Sequence, residues 1–323
     1  MTEAKKLKDE LKKLEYKHQN VYNNLSSENL AKCNDFCNDY MSFLNASKTE
    51  RLCVANAVTL LSEKGYKPFE SFVNPPQPGD KFYHVHKNKA IIAGIIGTEP
   101  IKNGFNLVIA HTDSPRLDLK PQPLYESDSL ALMKTHYYGG IKKYQWTSVP
   151  LELHGIVVKK DGTKVDIHIG GNDNDPVFFL SDLLPHLARK QMTKRASEVI
   201  NGEDMNVLVG TMPLPDDDEA KTVKLNILQI LNQNYGIEEE DFYSSELTFV
   251  PAFKARYVGF DKSLIGSYGH DDRVCAYTAL RALLSAQTPQ RTAICAFTDK
   301  EEIGSDGVTG MQSHAFDMFM EDL

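Results

Sequence analysis

The chain has 323 residues, of which 41% are hydrophobic and 25% charged, and a formal net charge of −8. That balance is ordinary for a globular protein and excludes collagen-like and disordered classes, while the acidic excess argues against a broad nucleic-acid footprint. The longest apolar stretch, Ala90 to Gly97, is far below the about 18 residues a membrane helix needs. The opening MTEAKKLKDELKKLEYK mixes Lys with Asp and Glu around no apolar segment, so neither a secretory nor a mitochondrial leader is expected. Cysteines 33, 37, 53, 275 and 295 form no C-x-x-C pair, which predicts reduced thiols in a soluble cytoplasmic protein.

In chain order, Ser26 or Ser27 caps a helix through Leu30, Phe36, Tyr40 and Phe43, and Ser47 opens a second one carrying Val54, Ala57, Leu60 and Leu61. Gly65 ends it, and NPPQPGD (74–80) cannot continue any regular element. KFYHVHK and KAIIAGIIG then read as a hairpin around Asn88. NLVIAH (106–111), apolar on both faces, predicts a central strand of a covered sheet. The middle is β-rich (LELHGIVV, KVDIHIG, NVLVG, LTFVPAF, ARYVGF), with one helical stretch, PVFFLSDLLPHLARK, and a solvated acidic loop at 213–221. A helix over Arg273–Ala286, the apolar strand TAICAF and a helix starting near Val308 complete the chain. The expectation is an α/β fold in which residues 1–119 and 263–323 build one layered structure and residues 120–262 form an inserted β-rich domain.

Three short segments concentrate chemistry: His111-Thr112-Asp113-Ser114-Pro115 after one buried strand, His270-Asp271-Asp272-Arg273 before a helix, and Asp299-Lys300-Glu301-Glu302 after another buried strand. Ligands of open α/β sheets collect beyond the carboxyl ends of strands, where two of these segments lie. In an extended H-x-D the two side chains leave on the same side, so Asp113 can orient the His111 ring. An Asp can bridge two metal ions about 3.5–4 Å apart. Two adjacent carboxylates can divide the work, one binding metal and the other serving as general base. Taken singly, each segment is more often a hydrogen-bonded pair, a helix cap or plain surface than a set of ligands. Together, acidic clusters with no compensating basic cluster call for a cation.

AHTDSP, GHDDR and DKEEIGS, in this order, resemble the aspartyl aminopeptidase family of dinuclear zinc metallopeptidases, and THYYGGIKKYQW and DLLPHLA extend the resemblance along essentially the whole chain. The resemblance implies a zinc-peptidase α/β/α sandwich with an inserted β-rich dimerisation domain. It implies His111, Asp271 and Glu302 as ligands to two Zn2+ ions, Asp113 as the partner of His111, and Glu301 as general base. It further implies removal of N-terminal residues from peptides, acidic ones included, by homo-oligomers in which dimers assemble to a dodecamer. PHLARKQ carries His186 but has Lys190 where the family pattern has a second His, so a strict acidic preference is not expected. No substrate-binding residue is assigned, and neither a nucleic acid nor a membrane is expected as partner. Family members run on past the Glu-Glu loop to a further Asp ligand and a late His ligand. The expectation is therefore that this 323-residue chain alone binds zinc weakly and has little activity. The alternative is a catalytically incomplete interaction or regulatory protein of the same fold.

Overall fold

The computed structural model describes residues 7, 8, 10–215 and 222–323, so much of the acidic loop at 213–221 lies outside the described residues. The chain divides into two compact units, Met1–Met41 and Ser42–Leu323. In the first, Ser26 rather than Ser27 caps helix α1 (Ser27–Ala46), its Oγ accepting from Asn29 N at 3.2 Å.

In the second, α2 (Glu50–Glu63) is capped by Thr49 and not by Ser47, with Thr49 Oγ1 accepting from Leu52 N at 3.3 Å. Five strands form a mixed sheet in the order β1 (Lys67–Pro68), β2 (Lys81–His86), β3 (Ala90–Ile95), β13 (Ala293–Thr298), β4 (Asn106–His111). β2 and β3 are the expected hairpin; Lys87 and Asn88 at its tip adopt φ of 53° and 58°, the left-handed pair that a tight two-residue turn demands. Strand alternation sorts the side chains to two faces. Ile91, Ile95, Cys295 and Phe297 pack against Val54, Ala57 and Leu61 of α2 and Ala276, Leu280 and Leu283 of α4 (His270–Ser285). Phe82, Ile92, Ile294 and Ala296 face the other way and meet Phe319 of α5 (Ala315–Asp322). Helices on both faces make the α/β/α layering, and each fully buried Ile or Phe contributes about 1.5–3 kcal/mol to holding it.

Two readings of this sheet need correction. Among the described residues β4 pairs with β13 alone and stands at the edge of the sheet, leaving Val108 and Ile109 50% and 44% exposed. Apolarity on both faces signals a strand but not its place in the sheet. The helix expected from Val308 starts at Ala315, because Gly307 (φ 116°) turns the chain and Gly310 passes so close to the Ser305 carbonyl that a side chain there would clash.

The remaining strands form a six-stranded antiparallel sheet in the order β8 (Lys164–Ile169), β7 (Leu151–Val158), β10 (Ser245–Pro251), β5 (Arg116–Ser127), β6 (Leu130–Tyr138), β9 (Val207–Gly210), and β11 (Arg256–Val258) pairs with β12 (Leu264–Gly266). Leu117, Leu153, Val207 and Phe249 build its core together with Val223 and Leu231 of α3 (Thr222–Tyr235), a helix the composition did not announce. No helix forms in PVFFLSDLLPHLARK. Phe178 and Phe179 instead make isolated bridges to Leu151 and Leu208, Phe178 meets Phe249 edge-on at 5.2 Å, and Leu183, Leu184 and Leu187 stay exposed. Pro185 within the stretch removes a helix donor, and the aromatic core draws the rest into extended form. All five cysteines are free thiols. No helix among the described residues is long and apolar enough to cross a membrane.

Candidate metal centre

β4 and β13 run parallel with His111 opposite Thr298, so the segments that follow them emerge side by side at one edge of the sheet. The third segment is brought there by Arg273. This buried side chain donates to the Thr112 carbonyl at 3.0 Å and the Lys48 carbonyl at 3.2 Å, tying the start of α4 to the loop after β4. Gly269 (φ 83°) lets the backbone pass over it, since a Cβ there would lie 2.0 Å from the Arg273 guanidinium. Asp271 and Asp272 have non-helical backbone angles, so the regular helix begins at Arg273 and Asp271 is free to project.

His111 is the hub. Its Nε2 lies 3.2 Å from Asp271 Oδ1 and 3.6 Å from Glu301 Oε2. Its Nδ1 lies 3.0 Å from the Asp113 carbonyl oxygen and 3.3 Å from Asp113 Oδ1. The fully buried Asp113 carboxylate accepts from Glu301 N at 3.3 Å, from Glu302 N at 3.2 Å and from Tyr138 Oη at 2.6 Å. One carboxylate thus orients the imidazole and pins the turn that carries both glutamates. Four of the five residues singled out from sequence (His111, Asp113, Asp271, Glu301) converge. The Glu302 carboxylate lies against Gly139, where a Cβ would lie 3.0 Å from Glu302 Oε2.

The electrostatics ask for a cation. Burial pulls the His111 imidazolium down, but the Asp113 hydrogen bond and the charges of Asp113 and Glu301 more than reverse this, pushing its pKa up to about 9. Burial pushes Asp113 up, yet hydrogen bonds from His111, Tyr138 and the Glu302 N–H hold it below the usual carboxylate range. Glu302 is raised by burial and by the charges of Asp113, Asp271 and Glu301, against the opposing His111. A field that holds a proton on His111 equally favours a metal ion in the proton's place. Imidazole nitrogen with carboxylate oxygens is a donor set that suits zinc, so the residues fit that ion in kind. They do not close around it: among the described residues, no group of three or more His, Cys, Asp or Glu side chains is placed to hold a metal ion.

Tyr138 went unassigned in the sequence, although it lies inside THYYGG. It ends β6, and its ring lies 4.0 Å from the Arg116 guanidinium and 5.2 Å from the Lys300 ammonium. Burial and the hydrogen bond to Asp113 push its hydroxyl pKa up, which keeps it a donor.

A sequence model of the family described as Aminopeptidase I zinc metalloprotease (M18) matches residues 43–323. The Probable M18 family aminopeptidase 1 of Clostridium acetobutylicum is 50% identical over 287 residues, 88% of this chain and 62% of that protein. A crystal structure of an M18-family aminopeptidase from Thermotoga maritima superposes with a TM-score of 0.89 at 48% identity, covering 95% of this chain and 66% of that one. The S. cerevisiae mApe1 dodecamer structure, 20% identical with a TM-score of 0.68, shares the fold. The chain spans 62–67% of the length of the first curated relatives it matches.

Proposed function

The chain belongs to the Aminopeptidase I zinc metalloprotease (M18) family, and from that premise we propose that it is a zinc-dependent aminopeptidase, or the greater part of one, removing N-terminal residues from peptides. The observation that carries the reading is the meeting of His111 Nε2, Asp271 Oδ1 and Glu301 Oε2 within 3.6 Å beyond two parallel strands. In this reading His111, Asp271 and Glu302 hold two zinc ions, and Asp113 fixes the tautomer that leaves His111 Nε2 free to ligate. Bound zinc supplies Lewis acidity at the scissile carbonyl and lowers the pKa of water. Glu301, its side chain 56% exposed, takes a proton from the attacking water and returns it to the departing amine. The backbone amides of Glu301 and Glu302, both bound to Asp113, keep that carboxylate in place through the cycle.

Residues 120–262 are proposed as the inserted domain that makes dimer contacts. Assembly as a homo-oligomer draws on the fold shared with a protein solved as a dodecamer. A cytoplasmic location is part of the same proposal. The incomplete encirclement of any metal point among the described residues favours one second reading, a catalytically incomplete interaction protein of this fold. Zinc titration by calorimetry, paired with release of N-terminal residues from peptides, separates the two. Weak zinc binding lost in His111→Ala and turnover lost in Glu301→Gln are expected. Zinc binding indifferent to His111 overturns the metal centre, whereas zinc binding without turnover under any peptide selects the second reading if it persists in a chain carried on over the rest of its relatives' length.

A further inference from the structure

We propose that His154 and His168 form a second cation site, which takes an exchangeable divalent ion of the nickel, copper or zinc type and clamps β8 to β7. The site uses no residue of the candidate metal centre and stands or falls apart from the aminopeptidase reading. β7 and β8 are antiparallel and place His154 directly opposite His168, and among the described residues β8 is the outermost strand of its sheet. Side chains opposite one another leave on the same face, and here the two Nδ1 atoms face each other at 3.0 Å. With one proton between them, one imidazole donates and the other accepts. A metal ion can take that proton's place. For metal–nitrogen bonds of about 2.0–2.1 Å, two neighbouring ligands stand about 2.9 Å apart around a square or octahedral ion and about 3.3 Å apart around a tetrahedral one. The observed separation lies between these values, so the ion enters by rotation of the rings, with the strands left where they are.

The surroundings suit a ligand pair better than a plain hydrogen bond. Buried His154 has Nε2 3.2 Å from Glu152 Oε2, and Glu152 Oε1 lies 3.2 Å from Lys48 Nζ. Neither His154 Nε2 nor Glu152 Oε1 makes an aligned hydrogen bond among the described residues. A metal on Nδ1 keeps the His154 proton on Nε2, towards a carboxylate, which is how metal-bound imidazoles are oriented. Gly170 (φ 108°) closes the chain over that carboxylate, where a Cβ would lie 2.7 Å from Glu152 Cβ. His168 is exposed and lines a cavity of about 570 Å³ beside α3, so water fills the remaining coordination positions. Partial burial and the neighbouring His154 hold the His168 pKa below its ordinary value, against Asp166 and Glu152, which leaves its ring neutral and able to ligate near neutral pH. Two nitrogen donors favour late first-row ions over magnesium or calcium, which take oxygen.

Nickel calorimetry on the untagged chain carrying His111→Ala, which removes competition from the first centre, tests the site. One saturable step in the micromolar range is expected, weakened more than about tenfold when His168→Gln is added. The His168 side chain is exposed, so His168→Gln alone should melt at the parent temperature without metal. Nickel should also slow deuterium exchange at the amides of residues 165–169 in the parent and not in His168→Gln. If the His111→Ala chain does not fold, that exchange measurement decides in its place. Millimolar magnesium should displace nothing. A nickel step that ignores His168, the absence of a saturable step below about 1 mM, or displacement by magnesium overturns the proposal. Zinc titrations of the candidate metal centre are read in the His168→Gln background, so the failure of either site is seen without the other.

Discussion

The two large sheets differ in what they do with their strand ends. The mixed sheet has helices on both faces, and its parallel pair β4 and β13 delivers His111, Glu301 and Glu302 to one edge. The antiparallel sheet supplies no ligand of the candidate metal centre, yet it contributes Tyr138 to Asp113, and the loop after β6 contributes Ile141 and Trp146 to a cleft that Asp271 also lines. Chemistry thus collects where parallel strands stop together. The antiparallel sheet acts by holding those groups still and shaping what lies beside them. The seam between the sheets is ionic: Arg116 at the start of β5 pairs with Glu50 of α2 at 3.0 Å, and Glu246 of β10 pairs with Arg51 of α2 and with Lys89 of the hairpin turn.

The largest test of this division is at the seam. Glu50→Ala leaves the buried Arg116 with Asp118 as its remaining carboxylate partner among the described residues and is expected to cost about 3 kcal/mol of unfolding free energy in urea titration; a loss below about 1 kcal/mol would mean that the seam does not join the sheets. Next, His111→Ala is expected to weaken zinc binding more than about 100-fold by calorimetry, exceeding what loss of a residue that only orients a ligand costs. Tyr138→Phe tests whether the antiparallel sheet reaches the chemistry. Zinc affinity should fall about tenfold while the urea midpoint moves little, and the amides of Glu301 and Glu302 should exchange faster with deuterium. An unchanged exchange pattern would reduce Tyr138 to packing.

The smallest effect is expected at Glu246→Gln, about 0.5 kcal/mol at neutral pH, because the pair is half-exposed. Burial raises the Glu246 carboxyl, but Arg51 and Lys89 reverse this and hold it below its ordinary value of 4.5. A depressed carboxylate contributes stability above its unfolded pKa and loses it as pH falls through the folded one. The parent and Glu246→Gln urea midpoints should therefore differ near neutrality and converge in acid. A gap that persists below the folded pKa would show that the pair is not the cause.

Much of the mixed sheet and nearly all the candidate site were readable along the chain. The hairpin around Asn88, the strands NLVIAH and TAICAF and the helix from Arg273 follow from local alternation, period and turn chemistry, which neighbours in sequence decide. H-x-D, Asp-Asp and Glu-Glu could be recognised as donors because residue type alone limits what can bind a metal. Tertiary structure decided what depends on distant partners. Among the described residues β4 stands at the edge of the sheet, and PVFFLSDLLPHLARK lost its helix to the Phe249 core. Asp271 reached His111 through Arg273, and Tyr138 reached Asp113 through the end of a strand in the other sheet. Sequence named the groups able to bind a cation, since that is a property of each side chain. Only the folded chain set their separations, since those depend on buried contacts between residues more than a hundred positions apart.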